Sequence, residues 1–381
     1  MVASTSLDGP VDVERVMQHV RALSVDIGIR AAGTDGERKA ADYISGVLTS
    51  QGYTTTVEPF TFRMRFDEST LTVGGATVQA SLFDGAASGT VSGALVDGGQ
   101  GAPEQIPAAA RGGVLLVRRG GISFAQKVAN AQQAGALAVV VLNSESGRFR
   151  GTLGMQRSTI PAIAVDGAEA DRLRGAQSAQ SVTVTASGGM RSVTSQNVVG
   201  RKGATCRAYI GAHYDSVPEG PGANDNATGT GTMLELARVR GTDGLCAVAF
   251  GSEEAGLRGS EAFVAQHLAG GAKFMLNFDM TGRIQNAMIV GDEALTQSIL
   301  GIVGRGADQP LRAGAFPPYA SSDHVSFSSV GVPAVTITSG DDPNIHTPGD
   351  TFEAVRKPDL KVLLILGDTA LTGLLKTLGA R

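Results

Sequence analysis

Cys206-Arg-Ala-Tyr-Ile-Gly-Ala-His213-Tyr-Asp215 reads as a short buried strand that ends on an imidazole, with a carboxylate two residues later. A Gly-rich loop follows, in which Asn224-Asp225-Asn226 begins eleven residues after the histidine. Thr230–Arg240 then has the spacing of a helix, with Met233, Leu234, Leu236 and Ala237 on one face. Three further apolar runs repeat the plan. Leu245–Phe250 leads to Glu253-Glu254, Phe274–Phe278 to Asp279, and Ala334–Thr338 to His346. The intervening Ser260–Leu268, Glu293–Val303 and Pro358–Leu378 read as helices. This alternation predicts an α/β fold, a sheet covered by helices on both faces. In open sheets of that kind, ligands collect beyond the carboxyl ends of the strands.

The chain has 381 residues, 42% of them hydrophobic and 18% charged, enough for a sizeable core and roughly two to three domains. A net charge of −4 argues against a nucleic-acid or anionic-membrane surface. No apolar run approaches the ~20 residues of a membrane span. Leu360–Leu378 comes nearest, but Gly367, Asp368 and Lys376 interrupt it, so no membrane insertion is expected. Met1–Asp8 has neither a basic nor an apolar signal region, which leaves a cytosolic protein or one whose signal has been removed. Cys206 lies seven residues before His213 and Cys246 seven before Glu253. If those strands are neighbours, the two thiols lie at equal depth, and both a disulfide and a pair of reduced core cysteines remain open.

Upstream, residues 13–24 and Glu37–Ser50 read as amphipathic helices separated by a break at Gly33-Thr-Asp-Gly36, and Thr54–Arg63 reads as a strand. His19 and His267 sit on helices without a partner motif and read as structural. From 64 to 190 the texture becomes β-rich: Ser69–Val73, Thr77–Leu82, Thr90–Val96, a strand from Val114, a helix over Gln126–Ala134, a strand over Ala136–Asn143, then Ile160–Asp166 and a helix at Ala168–Leu173. That block has no histidine or cysteine and reads as a non-catalytic module. The domain organisation expected is therefore 1–63 joined with 191–381, interrupted by 64–190. The insert resembles the protease-associated (PA) domain in Val114–Phe124, in Lys127, Asn130 and Ala134-Gly135-Ala136, and in Ile160-Pro161-Ala162. The resemblance implies a module found in peptidases and transport-type receptors that influences substrate access.

The strand-end residues have the chemistry of a metal site. Asp215 is placed to accept the proton of the non-coordinating nitrogen of His213, as carboxylates behind metal-bound imidazoles do. Asp225 lies in a loop compatible with simple turn chemistry, but the lysine of a phosphate-binding loop is missing. Glu253-Glu254 alone would read as a solvated turn. Beside His213, Asp225, Asp279 and His346 the two glutamates divide into a metal ligand and a general base. Asp279 follows so apolar a strand that it needs a partner or a cation. Asp350 is the acid placed to orient His346. His324, in Ser321-Ser322-Asp323-His324, either lines a pocket or ends a turn. Two histidines and three carboxylates can serve two zinc ions if one carboxylate bridges, a pairing suited to amide hydrolysis. A serine route lacks its Gly-x-Ser-x-Gly elbow.

Residues 196–350 resemble the M28 family of zinc aminopeptidases. The motifs are His213-Tyr-Asp-Ser, Asn224-Asp-Asn, Ser252-Glu-Glu-Ala-Gly-Leu-Arg-Gly-Ser260, Asn277-Phe-Asp-Met-Thr-Gly282, Ser322-Asp-His with Phe327 and Gly331-Val-Pro-Ala, and His346-Thr-Pro-Gly-Asp. The resemblance implies a mixed-sheet α/β/α zinc exopeptidase core. One zinc would be held by His213, Asp225 and Asp279, and a second by Asp225, Glu254 and His346. Glu253 would take the proton of a metal-bridging water, and the peptide bond after Asp225 would be cis. The chain departs from the pattern at Ile345, where several members carry a tyrosine that polarises the carbonyl; the zinc ions or Tyr319 must then take that role. Tyr319, Ser322, Asp323 and His324 are the expected substrate pocket, with Phe316, Tyr319 and Phe327 giving it an apolar character. The expected activity is removal of N-terminal residues from peptides by a secreted or periplasmic enzyme. The alternatives are a carboxypeptidase or dipeptidase of the same fold, for which Arg258 and Arg283 are the nearest arginines, a glutaminyl-cyclase-like transferase, and a receptor-like binding module without metals.

Overall fold

A computed structural model of the chain describes residues 10–147, 149–176, 181–267, 271–304 and 310–378. Two compact units result, one from the chain up to Phe62 and from Ser192 onward, the other from Arg63–Arg191. The first begins with α1 (Val13–Arg21), which opens on Asp12 as N-cap and runs on through a wider π-helical turn, Ala22–Ile27. Next come α2 (Asp35–Ser50), capped by the Thr34 hydroxyl on the Glu37 amide, and the long strand β1 (Thr54–Asp67).

In the inserted unit β2 (Thr70–Val73), β3 (Ala76–Gln79), β4 (Ser81–Leu82), β5 (Gly89–Asp97) and β6 (Val114–Arg118) precede α3 (Phe124–Gln133). After it come β7 (Ala138–Leu142), β8 (Ala162–Val165), α4 (Ala170–Ala176) and β9 (Ser181–Ala186). These strands form one sheet, ordered β3-β2-β9-β5-β6-β7-β8-β4. The run Thr77–Leu82, expected as a single strand, is two. Ala80 donates to Ser69, and beyond it the chain changes partners, from β2 on the β3 side to β8 on the β4 side.

The remaining elements return to the first unit. They are β10 (Gly188–Arg201), β11 (Ala208–His213), α5 (Gly229–Arg240), β12 (Leu245–Phe250), α6 (Arg258–His267), β13 (Met275–Phe278), β14 (Met288–Gly291), α7 (Glu293–Val303), β15 (Arg312–Ala313), α8 (His324–Ser329), β16 (Ala334–Thr338) and α9 (Lys357–Leu378). Leu268 of the expected sixth helix and Met1–Asp8 lie outside the described residues.

Sheet order is β1-β10-β12-β11-β13-β16-β14-β15, with β12, β11, β13 and β16 mutually parallel at its centre. β10 and β14 flank this centre antiparallel, so the sheet is mixed. Alternate residues of the central strands point to opposite faces. Ala208, Ile210, Leu245, Ala247, Leu276 and Val335 pack with Val16, Ile44, Met233 and Leu363 from α1, α2, α5 and α9. Tyr209, Cys246, Val248 and Met275 pack with Phe263 and Phe327 from α6 and α8. Helices thus cover both faces, as the alternation predicts. Cys206 and Cys246 form a disulfide with a Cα–Cα distance of 5.5 Å. It lies at the amino ends of β11 and β12, while His213, level with Phe250 in register, marks their carboxyl ends.

Candidate metal centre

Strand register places the five suspected ligands. Phe250 and His213 end β12 and β11 side by side, and Phe278 of β13 pairs with Ile337 of β16. Glu253-Glu254, Asp225, Asp279 and His346 therefore enter from loops above one edge. Nε2 of His213 lies 3.1 Å from Oδ1 of Asp225 and 3.4 Å from Oδ1 of Asp279. Nε2 of His346 lies 3.3 Å from Oδ2 of Asp225 and 3.0 Å from Oε2 of Glu254. Asp225 thus turns one oxygen to each histidine. The sets His213/Asp225/Asp279 and Asp225/Glu254/His346 each bring their ligand atoms within 4.8 Å of one another. Ligands at 2.0–2.2 Å from a tetrahedral zinc are separated by about 3.3–3.6 Å, close to the four separations found. The buried atoms Asp279 Oδ1 and Glu254 Oε1 have no hydrogen-bond partner, a costly state for a carboxylate that a cation relieves. On both counts the residues fit a pair of zinc ions.

The supporting contacts hold backbone as much as side chains. Asp215 lies 3.4 Å from Nδ1 of His213, on the side away from the ligand atoms. Its oxygens also accept the amides of Glu253 (3.0 Å) and Glu254 (3.2 Å), so one carboxylate orients a histidine and anchors both glutamates. Asp350 accepts the amides of Asn224 (2.7 Å) and Asp225 (2.9 Å). The orientation it supplies goes to the Asn224-Asp225 loop, a correction to the expectation that it orients the His346 ring. Asn226 clasps the end of β13, donating to the Phe278 carbonyl and accepting from Met280. The Asp225–Asn226 peptide bond is cis. Four non-glycine residues, Ser252, Leu257, Met280 and His346, have φ of 56–58°. Such strain clusters where surrounding contacts over-determine a functional loop.

Electrostatics follow from packing acids together. Burial opposes protonation of His213, but Glu253, Asp279 and the contacts with Asp215 and Asp225 outweigh it and hold its pKa well above the usual value. Contacts with Asp225 and Glu254 raise His346 to about 10. Asp225 resists burial through the two histidines and stays well below the ordinary carboxylate range. Glu254 rises to about 7, from burial and then the Asp225 charge. Burial, together with Asp323 and Asp279, pushes Glu253 well up despite His213. Glu253 is a half-buried acid that lies outside both ligand sets.

A cavity of about 470 Å³ opens onto these groups, walled by Leu257, Met280, Phe316, Tyr319, Ser321 and Ile345. Of the residues expected to form the substrate pocket, Tyr319 lines it and is 90% exposed. Ser322, Asp323 and His324 are buried beneath. Ser322 donates to Oδ2 of Asp279 at 2.6 Å, which leaves Oδ1 facing His213. His324 contacts the Thr336 hydroxyl, and burial lowers its pKa to about 4. Burial first, with the nearby acids, raises Asp323 to about 7. Phe327 packs against Phe250 and Phe263 in the core and leaves the cavity wall to Phe316. Arg30, between α1 and α2, and Glu37, in the first turn of α2, also have contacts that reach this site. Nothing in the sequence marks Arg30; the Thr34-x-x-Glu37 pattern at the start of α2 is the signal for Glu37.

Comparison with known proteins gives two family models. Peptidase family M28 matches residues 197–366, and the PA domain matches residues 87–173. The aminopeptidase YwaD of Bacillus subtilis is 29% identical over 389 residues, spanning 94% of this chain and 84% of that protein. Among solved structures, BSAP, a zinc aminopeptidase from Bacillus subtilis, superposes with a TM-score of 0.69 at 26% identity, covering 95% of this chain and 94% of that one. An aminopeptidase from Aneurinibacillus sp. strain AM-1 has a TM-score of 0.63 at 30% identity, covering 95% and 93%.

Proposed function

The chain belongs to peptidase family M28, with an inserted PA domain, and is a zinc-dependent exopeptidase of the aminopeptidase kind; from that premise we propose a two-zinc enzyme that removes N-terminal residues from peptides, with Glu253 as general base. The observation that carries the proposal is the sharing of Asp225 between two ligand sets while Glu253, in the same cavity, belongs to neither. Bound there, zinc supplies Lewis acidity to the scissile carbonyl and makes water a better nucleophile at neutral pH. His213, Asp225 and Asp279 would hold one ion; Asp225, Glu254 and His346 would hold the other. Glu253 takes the proton of the attacking water and returns it to the leaving amine. Ser322 fixes which oxygen Asp279 presents. Asp215 and Asp350 hold the backbone from which the glutamates and the bridge project. Tyr319, on the wall shared with Ile345, is the phenol available to the carbonyl.

The side chains left free of the metals favour attack from the amino terminus. With Asp225, Glu254 and Asp279 given to zinc, the lining keeps Glu253 and, among the described residues, no lysine or arginine. A peptide's α-ammonium suits such a wall, whereas a terminal carboxylate would find no cationic side chain on it. Arg258 pairs with Glu261, and Arg283 lies 3.8 Å from Asp342. For the PA domain, in which no ligand cluster of the described residues falls, a part in peptide access rests on the resemblance to that module alone. The Cys206–Cys246 bond supports an oxidising compartment outside the cytoplasm, secreted or periplasmic. A panel of free, N-acetylated and C-amidated peptides, assayed before and after chelation, tests the reading. Free and amidated peptides should be cleaved and acetylated ones spared, with all activity lost on chelation and restored by zinc. Cleavage of acetylated peptides alongside resistance of amidated ones would overturn it in favour of a carboxypeptidase.

A further inference from the structure

Arg30 is a fully buried cation whose bonds are all to main chain. Its Nε donates to the Tyr214 carbonyl at 2.6 Å. Nη1 reaches Leu23 (3.0 Å), Gly28 (2.9 Å) and Pro221 (2.6 Å), and Nη2 reaches Gly222 at 2.9 Å. Its backbone is tied to the same loop, since the Arg30 amide donates to Ser216 Oγ and the Ser216 amide to the Arg30 carbonyl. One guanidinium therefore joins the residue after His213 to the glycine that opens the Asp225 turn. Gly222 has φ of 56°, and a Cβ there would lie 2.3 Å from the Asp225 carbonyl oxygen. Only glycine permits so close an approach.

Seven residues along, Glu37 is also buried. Its Oε1 accepts the hydroxyls of Ser195 (2.7 Å) and Ser252 (2.8 Å), and its Oε2 accepts the Gly33 amide (2.6 Å). Ser252, at positive φ, immediately precedes Glu253-Glu254. Arg30 lies in the connection before α2 and Glu37 in the first turn of α2, and neither side chain touches a ligand atom.

We infer that Arg30 and Glu37 are the two heads of a positioning clamp, Arg30 setting the turn that carries the shared ligand Asp225 and Glu37 setting the turn that presents Glu253 and Glu254. The inference rests on the two-zinc reading and adds to it residues that act through others. Charge and geometry give opposite expectations for Arg30. A nearby positive charge repels zinc, so a residue acting by charge alone would be replaced by lysine without effect, and its loss would tighten zinc binding. A residue acting by geometry cannot be replaced by lysine, whose ammonium does not span five carbonyls.

The test is stepwise zinc affinity of the full chain, by competition with a chromophoric chelator, alongside thermal unfolding of the metal-free protein. Arg30→Lys should weaken both zinc sites, by roughly 10–100-fold. Glu37→Leu should weaken only the ion held by Glu254, and should lower kcat with little change in KM. Glu37→Gln should restore both, since its amide can accept from Gly33 and donate to the serines. If the wild-type chain binds no zinc, the two-zinc reading falls and the clamp falls with it. If wild type binds two ions and both Arg30→Lys and Glu37→Leu bind them equally well, with only a lower Tm, the clamp alone is refuted and the two side chains are structural.

Discussion

Each unit of this molecule ends four neighbouring parallel strands in polar residues, and only one unit makes a site of them. In the PA domain, Asp97, Arg118, Asn143 and Asp166 stand at or just beyond the ends of β5, β6, β7 and β8. Asp97 pairs with Arg118 at 3.0 Å and accepts the Gly99 amide. Asn143 accepts from Arg119 and donates to Gly147, and Asp166 accepts the Gly147 and Ala168 amides. Every one of these groups closes on a local partner. At the corresponding edge of the peptidase sheet, Asp279 Oδ1 and Glu254 Oε1 are buried without one. Parallel strand ends make a place where chemistry can occur. Unsatisfied valence at those ends is what calls for a cation.

Removing the proton carrier from the unsatisfied edge should have the largest effect. Glu253→Gln is expected to lower kcat by about 10²–10⁴-fold while zinc content stays at the wild-type value; loss of zinc instead would exchange the roles of the two glutamates. An intermediate effect comes from Glu37, which burial, and then the Asp215 charge, raise from 4.5 to about 7. Its folded value exceeds its unfolded one, so the folded chain holds this proton more tightly. The resulting stabilisation is full below pH 4.5 and is lost as pH rises through about 7. In urea unfolding, wild type should therefore lose up to about 3 kcal/mol relative to Glu37→Gln across that interval, and parallel curves would show that Glu37 does not titrate there. The smallest effect belongs to the satisfied edge. Arg118→Met, which breaks a half-exposed pair, should cost less than about 1 kcal/mol and leave zinc content and kcat unchanged. A change in either would mean that the two sheet edges are not separate in function.

What could be read from sequence follows the same division. Buried parallel strands are short apolar runs, so a histidine or acid at the end of one stands out; His213, Asp279 and the Glu253-Glu254 pair are visible for that reason. Arg30 and Glu37 are not, because a cation in a loop and an acid in the first turn of a helix read as solvated until the fold buries them against distant carbonyls and hydroxyls. Ser322, Asp323 and His324 are expected at the substrate from the motif Ser322-Asp-His, and their neighbours Tyr319 and Ser321 do line the cavity. A helical turn at α8 carries them under it instead, and Phe327 with them into the core. Periodicity over Thr77–Leu82 could not show that the strand changes partners at Ala80, since both pieces alternate in the same way. The cysteines' equal spacing from His213 and Glu253 held the right geometry, but only the parallel pairing of β11 with β12 turns equal depth into proximity.

Zinc anomalous scattering from crystals of the full chain grown with the metal tests the central claim most directly. Two peaks are predicted, one among His213, Asp225 and Asp279 and the other among Asp225, Glu254 and His346, with Asp225 contributing an oxygen to each. A single peak, or any peak outside these two triads, would contradict the account.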